Sequence, residues 1–170
     1  LTINEFCSRN TGIFLDEFHE ADDWIEIYNA GDTLLDLAGM FLTDSLDDPM
    51  KHQIPSLDPG TRIPPGGYLI LWADNQPEQG SRHLGFRLDS KKEELGIFRP
   101  GTGYIDSLSY SKLHRDMILG RIPDGSGPMT AVSSTPGAPN RPMVLENVFI
   151  NEYMASNGST HADEFGEYDD

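Results

Sequence analysis

Apolar and polar positions alternate with period two along most of the chain. Over Asp23-Trp24-Ile25-Glu26-Ile27-Tyr28-Asn29, Ile25 and Ile27 fall on one side and Trp24, Glu26 and Tyr28 on the other. β-branched and aromatic residues at this spacing suit a pleated, half-buried strand. Ile3-Asn4-Glu5-Phe6 predicts a short strand before it. Leu34 to Thr43 predicts another after it, with Gly39 marking a bulge or a close backbone approach. Tyr68-Leu69-Ile70-Leu71-Trp72-Ala73 is apolar on both faces and predicts a central strand. His52–Ile54, Leu84–Leu88, Glu94–Phe98, Tyr104–Tyr110 and Leu119–Ile122 continue the series. Asp58-Pro59-Gly60 and Pro64-Pro65-Gly66-Gly67 punctuate it, because Pro presets φ and Gly supplies positive φ. About eight or nine short strands so spaced predict an antiparallel β-sandwich or a barrel. Ile25, Ile27, Leu37, Phe41, Leu69, Leu71, Phe86, Leu88 and Phe98 are the expected core. No segment carries an apolar helical period over three turns.

The pattern of the first 23 residues returns at the end. Positions 148–170 align with 1–23 without a gap, and ten of the 23 positions are identical. Ile3-Asn4-Glu5 recurs as Ile150-Asn151-Glu152, and the acidic run Asp16 to Asp23 recurs as Asp163 to Asp170. The chain thus reads as a β domain over 1–140, a Pro-containing linker over 141–147 and the truncated start of a second copy over 148–170. With no initiating Met and an interrupted second copy, a piece of a longer protein is expected. The apolar residues at the head of the copy predict strand exchange through 148–155, by docking on the first domain or adding to an edge of another chain.

Charge narrows the partners. The 170 residues carry 28 acidic and 12 basic side chains, a net charge of −16. That field repels phosphate backbones and argues against nucleic acid. No apolar run is long enough to span a membrane. The single Cys7 excludes an internal disulfide and a cysteine zinc site.

The acidic run is the sharpest chemical feature. Asp16, Glu17, Glu20, Asp22 and Asp23 lie in one loop, with Asp44, Asp47 and Asp48 as further candidates nearby. Calcium takes six to eight oxygens, and acidic loops between strands supply them; calcium is therefore the expected cofactor if there is one, although the spacing is not that of an EF-hand. The competing reading is a solvated loop whose carboxylates cap backbone N–H groups. The internal copy keeps all five acids but replaces His19 by Gly166. The other motifs are weaker. The five His are scattered without metal-ligand spacing. Asp124-Gly125-Ser126-Gly127 lacks the full nucleophile-elbow pattern. Cys7 reads as a packing residue. Arg121 reads as a tie for a loop through carboxylate or carbonyl contacts. Trp24, Trp72, Tyr28 and Tyr68 would serve a glycan as a stacking platform, but more often such residues cover a sheet.

Taken in order, several segments resemble a lamin-tail domain of the bacterial type. They are Ile3-Asn4-Glu5-Phe6, the acidic lead into Asp23-Trp24-Ile25-Glu26-Ile27-Tyr28-Asn29, Asp36-Leu37-Ala38-Gly39, Leu42-Thr43-Asp44, Ile63-Pro64-Pro65-Gly66-Gly67-Tyr68-Leu69, Trp72-Ala73, Gly120-Arg121-Ile122-Pro123-Asp124-Gly125-Ser126-Gly127 and Thr135-Pro136-Gly137-Ala138-Pro139-Asn140. The resemblance covers the whole first domain. Met40, His52 and Met129 stand where the family often has an aromatic, and Ser90-Lys91-Lys92 where a Gly turn is usual. It implies an all-β, immunoglobulin-like antiparallel sandwich with no catalytic residues. It also implies an interaction, attachment or spacer module of a secreted or cell-surface multidomain protein, with a protein or cell-surface partner. A calcium-stabilised carbohydrate-binding module is the rival expectation, and a hydrolase ranks below both.

Overall fold

The computed structural model describes residues 1–56 and 58–143. The domain is two antiparallel sheets packed face to face. Its strands are β1 (Thr2–Cys7), β2 (Asp23–Tyr28), β3 (Leu35–Asp36), β4 (Phe41–Thr43), β5 (His52–Gln53), β6 (Arg62–Ile63), β7 (Tyr68–Ala73), β8 (Lys92–Arg99), β9 (Gly103–Ser111), β10 (Ile118–Arg121) and β11 (Met129–Ala131). One sheet runs β11-β10-β1-β2-β7 and the other β5-β4-β8-β9, with β3 and β6 pairing separately.

The core forms where inward residues of both sheets meet. Ile3, Phe6, Ile25, Ile27, Leu69 and Leu71 come from the first sheet, and Leu42, Leu95, Ile97 and Tyr110 from the second. Phe6 and Tyr110 bring their rings to 4.7 Å across the interface. Seven of the nine expected core residues lie in this cluster; Phe41 and Phe98 do not. These two face each other across β4 and β8 at a register position where both are only half-buried. Their neighbours Leu42 and Ile97 fill the core instead. A one-residue change of phase exchanges the faces of a strand, and both strands offer apolar residues at adjacent positions.

Three other expectations change. Leu34 to Thr43 is not one strand: Gly39, at φ +76°, sits in a turn between β3 and β4. Leu84, Phe86 and Leu88 are buried, but their segment makes only isolated bridges, to Trp72 and Asp74. Tyr68–Ala73 lies at the edge of its sheet and not at the centre. Its free edge is nonetheless covered, since Trp72 N–H donates to Arg82 C=O and Leu84 N–H to Trp72 C=O, each at 2.7 Å. That cover lets an edge strand be apolar on both faces.

The central strand is β1, and a bulge determines what it presents. Its register with β2 shifts between Ile3 and Glu5. Regular alternation would put Glu5 on the same side as Ile3. The bulge instead lets Ile3 and Phe6 both enter the core while Asn4 and Glu5 both turn to the outer face. There they meet the chain after β11. Glu5 accepts from Thr135 N–H and Thr135 Oγ1, each at 3.1 Å. Glu26 accepts from Asn4 Nδ2 at 3.0 Å and from Gly137 N–H at 2.6 Å. Asp124 accepts from Asn4 Nδ2 at 3.1 Å, Asn140 N–H at 3.1 Å and the Tyr68 hydroxyl at 2.9 Å. Burial pushes the carboxyls of both Glu5 and Glu26 up to about 7. Arg121 ties the same region down, donating to Ile3 C=O, Gly127 C=O and the Asp106 carboxylate. Two glycines make the approach feasible. A Cβ on Gly127 would lie 2.0 Å from Ile122 C=O, and one on Gly120 would lie 2.7 Å from Asn140 Nδ2.

Beyond Asn140 the backbone still engages the domain, since Ser133 N–H donates to Arg141 C=O and Val132 bridges Pro142. The second copy and its expected strand exchange fall outside the described residues.

Candidate functional site

The loops at one end of the sandwich hold the chemistry. Cys7 pairs with Trp24 and Ile118, Asp23 with Ala73, and Lys92 with Ser111. The connections leaving this end are therefore 8–22, 74–91 and 112–117.

Loop 8–22 is built around two side chains. Asn10 is buried; its Nδ2 donates to Phe14 C=O at 2.5 Å and Asp22 C=O at 2.9 Å, and its Oδ1 accepts from Gly12 and Ile13 N–H. Asp16 is buried too, and its Oδ1 accepts from Phe18 N–H at 2.8 Å and Glu20 N–H at 2.7 Å. A backbone bond from Asp16 N–H to Glu20 C=O closes the turn. Within that turn His19 sits at φ +66°, where a non-glycine residue is disfavoured. The copy's Gly166 is the residue such a position prefers. Asn10 escaped the sequence reading, although its identity in the copy, as Asn157, was the available signal.

The fold divides the five acidic candidates. Asp16, Glu20 and Asp22 each offer a carboxylate oxygen, all within 4.8 Å of one another. Asp16 Oδ2 and Asp22 Oδ2 are shut off from solvent with no hydrogen-bond partner. Burial, then the charges of Asp74, Glu20 and Asp16, raises the Asp22 carboxyl above its ordinary value. Glu17 points away: its Oε1 accepts from Arg82 Nη2 at 2.8 Å and lies 3.6 Å from His83 Nε2. Asp23 accepts from Asn10 N–H, and burial lifts its carboxyl to about 6. Asp44, Asp47 and Asp48 are outside the group, and Asp44 is paired with Lys51.

Next to the cluster lies a cavity of about 350 Å³ lined in part by Glu17, Asp58, Gln79, Arg82 and His83. The His83 ring is buried, with Nδ1 2.5 Å from Asp74 Oδ2. A carboxylate-oriented imidazole is half of a nucleophilic triad. The nearby hydroxyl does not complete one, because Ser81 Oγ donates to Asp58 Oδ2 at 2.6 Å. The other chemical candidates are structural. Cys7 is fully buried, and burial drives its thiol up to about 11, far from a reactive thiolate. Trp24 and Trp72 are buried in a small cluster with Cys7, Ile118 and Val132, so neither is open to a sugar. Tyr28 and Tyr68 form a half-buried pair with ring centroids 4.9 Å apart.

An antiparallel sandwich of two sheets with loops gathered at its ends is the immunoglobulin-like arrangement. Residues 7–112 match the model of the Lamin Tail Domain, and the chain belongs to that family. The family is a non-catalytic domain of the protein-interaction type. No curated protein and no solved structure matches the chain. No helix among the described residues is long and apolar enough to cross a membrane.

Proposed function

We propose that the domain is an attachment module of a secreted or cell-surface multidomain protein, and that it grips a protein partner with loop 8–22. The observation that carries this reading is the distribution of exposed apolar side chains. Ile13, Leu15 and Phe18 are 46%, 43% and 50% exposed, and all three belong to this loop. Apolar side chains clustered in water beside charged ones are the composition of a contact patch with a polar rim. The loop is held from below by Asn10 and Asp16, so its display carries a reduced ordering cost on binding.

The test uses the triple variant Ile13→Ser, Leu15→Ser, Phe18→Ser. Wild-type domain should bind saturably to surface or secreted fractions of the cells that make it, and the variant should lose at least about ten-fold in affinity, the scale of one or two contact residues. It should melt within about 2 °C of wild type, as surface substitutions do. Equal binding by both would remove the loop as the contact. Absence of binding by either would favour a spacer role, and turnover of a glycoside or ester substrate would end the non-catalytic reading. The rival, a calcium-stabilised carbohydrate-binding module, draws on the Tyr28–Tyr68 pair as its stacking surface; a glycan array on wild type and Tyr28→Ala separates the two.

A further inference from the structure

We propose that Asp16, Glu20 and Asp22, with the side-chain oxygen of Gln79, form a calcium site that clasps loop 8–22 to the turn after β7. The inference stands independently of the partner proposed above. The acidic cluster alone would not carry it. What does is the accounting of buried atoms. Asp16 is only 6% exposed, and its Oδ2 has no donor. Asp22 Oδ2 and Gln79 Oε1 are likewise enclosed and unpaired. Buried acceptors are ordinarily satisfied, and each one left alone is costly.

Basic side chains offer little relief: Arg87 acts on Asp22 more weakly than the neighbouring carboxylates do. Among the described residues, no Lys, Arg or His nitrogen lies within 4.0 Å of the Asp16, Glu20 or Asp22 carboxylates. The neighbouring Glu17, by contrast, has Arg82. Asp16 and Asp22 each keep an unpaired oxygen, and both residues offer an oxygen within 4.8 Å of one on Glu20, so a cation would complete the three together. Oxygen is the only donor type in the group, which selects a hard ion. Calcium tolerates irregular coordination completed by water, whereas magnesium demands a near-ideal octahedron.

Gln79 supplies the link to the second loop. It ends the short 3₁₀ turn Pro77–Gln79, and its Nε2 donates to Glu20 Oε2 at 2.9 Å. Gln76 reaches the same oxygen at 3.5 Å. The two glutamines therefore already hold Glu20 against the turn, and an ion beneath them would join Asp16 and Asp22 to the same point. Four protein groups with an exposed Glu20 make an open site, with an expected Kd on the order of 10⁻⁴ to 10⁻³ M, that of extracellular calcium modules.

The experiment is calorimetric titration of the whole 170-residue chain with calcium chloride after chelator treatment, paired with melting curves. Wild type should give one set of heats assigned to this site and a rise in Tm of ~3–5 °C at ten times Kd. Asp22→Asn and Glu20→Gln should each cut affinity at least ten-fold, and Gln79→Ala a few-fold. Asp47→Asn, in another loop, should leave it unchanged. Glu20 is exposed, so Glu20→Gln tests the site even if Asp22→Asn fails to fold. Absence of heat and of any Tm rise at 10 mM calcium overturns the proposal. So does heat that survives both Asp22→Asn and Glu20→Gln in full, which would be diffuse binding to a chain of charge −16 or binding elsewhere. An equal response to magnesium at the same concentration overturns the assignment to calcium.

Discussion

Two groups of buried acids lie in this domain, and they are finished differently. On the outer face of the five-stranded sheet, both oxygens of Glu5, Glu26 and Asp124 accept hydrogen bonds, from Asn4, Tyr68, Thr135, Gly137 and Asn140. In loop 8–22, Asp16 and Asp22 each keep an oxygen enclosed without a donor. Neither Glu5 nor Glu26 has a basic partner within 4.0 Å among the described residues, and neither have Asp16 and Asp22. Count of carboxylates thus does not separate them; supply of neutral donors does. A satisfied network specifies a fold, because each donor must arrive at one place. An unsatisfied one leaves coordination for something else to complete.

The sharpest way to break the satisfied group is to remove Glu26. Glu26→Ala leaves the Gly137 N–H without an acceptor and takes one of the two acceptors, Glu26 and Asp124, from the Asn4 amide, at about 1–3 kcal/mol each. The expected cost of ~2–5 kcal/mol matches that of Ile27→Ala, which empties the core on the opposite face of the same strand. Urea unfolding of both variants at one pH measures the comparison. A cost under about 0.5 kcal/mol for Glu26→Ala, the range of an ordinary surface substitution, would show the network to be passive.

The same group should leave a mark on the pH dependence of stability. Glu5 and Glu26 titrate near 7 in the fold, against 4.5 ordinarily, so the folded state holds more protons between those values. Stability contributed by the protonated forms is fully present below about 4.5, falls as pH rises towards 7 and is flat above. The loss should be on the order of 3 kcal/mol across the pair, below the sum of two independent shifts because the sites are coupled. In Glu5→Gln/Glu26→Gln the decline should shrink by that amount, leaving the part owed to Asp23, lifted to about 6, and Glu93, lifted to about 7. A wild-type unfolding free energy that rises from pH 5 to pH 7.5 would contradict it.

The smallest effect belongs to the loop. His19→Gly removes a side chain from a left-handed position and should stabilise by up to about 1 kcal/mol, the steric gain exceeding the entropy given to the unfolded chain. Calcium affinity should be unchanged, because His19 is outside the ligand set. A destabilisation beyond about 1 kcal/mol would mean that the imidazole makes a contact the loop requires.

Period-two alternation, turn chemistry and the resemblance of ordered motifs were enough to place most of the strands, the all-β sandwich and most of the core, because each depends on residues within one strand or turn. The acidic run was equally legible as a cluster of oxygens. Its division was not. Asp23 turns to Asn10 and Asp16, Glu20 and Asp22 to one another, while Glu17 finds Arg82 and Glu20 finds Gln79 only when loop 74–91 is in place. The bulge that sends Asn4 and Glu5 to one face was also invisible, since its reward is contact with Gly125, Thr135 and Asn140, more than 100 residues away. So was the edge position of Tyr68–Ala73, whose cover comes from Arg82 and Leu84. Local periodicity reports which side chains want to leave water. Where a buried polar atom finds its partner is decided by distant backbone, and only the folded chain brings that backbone near.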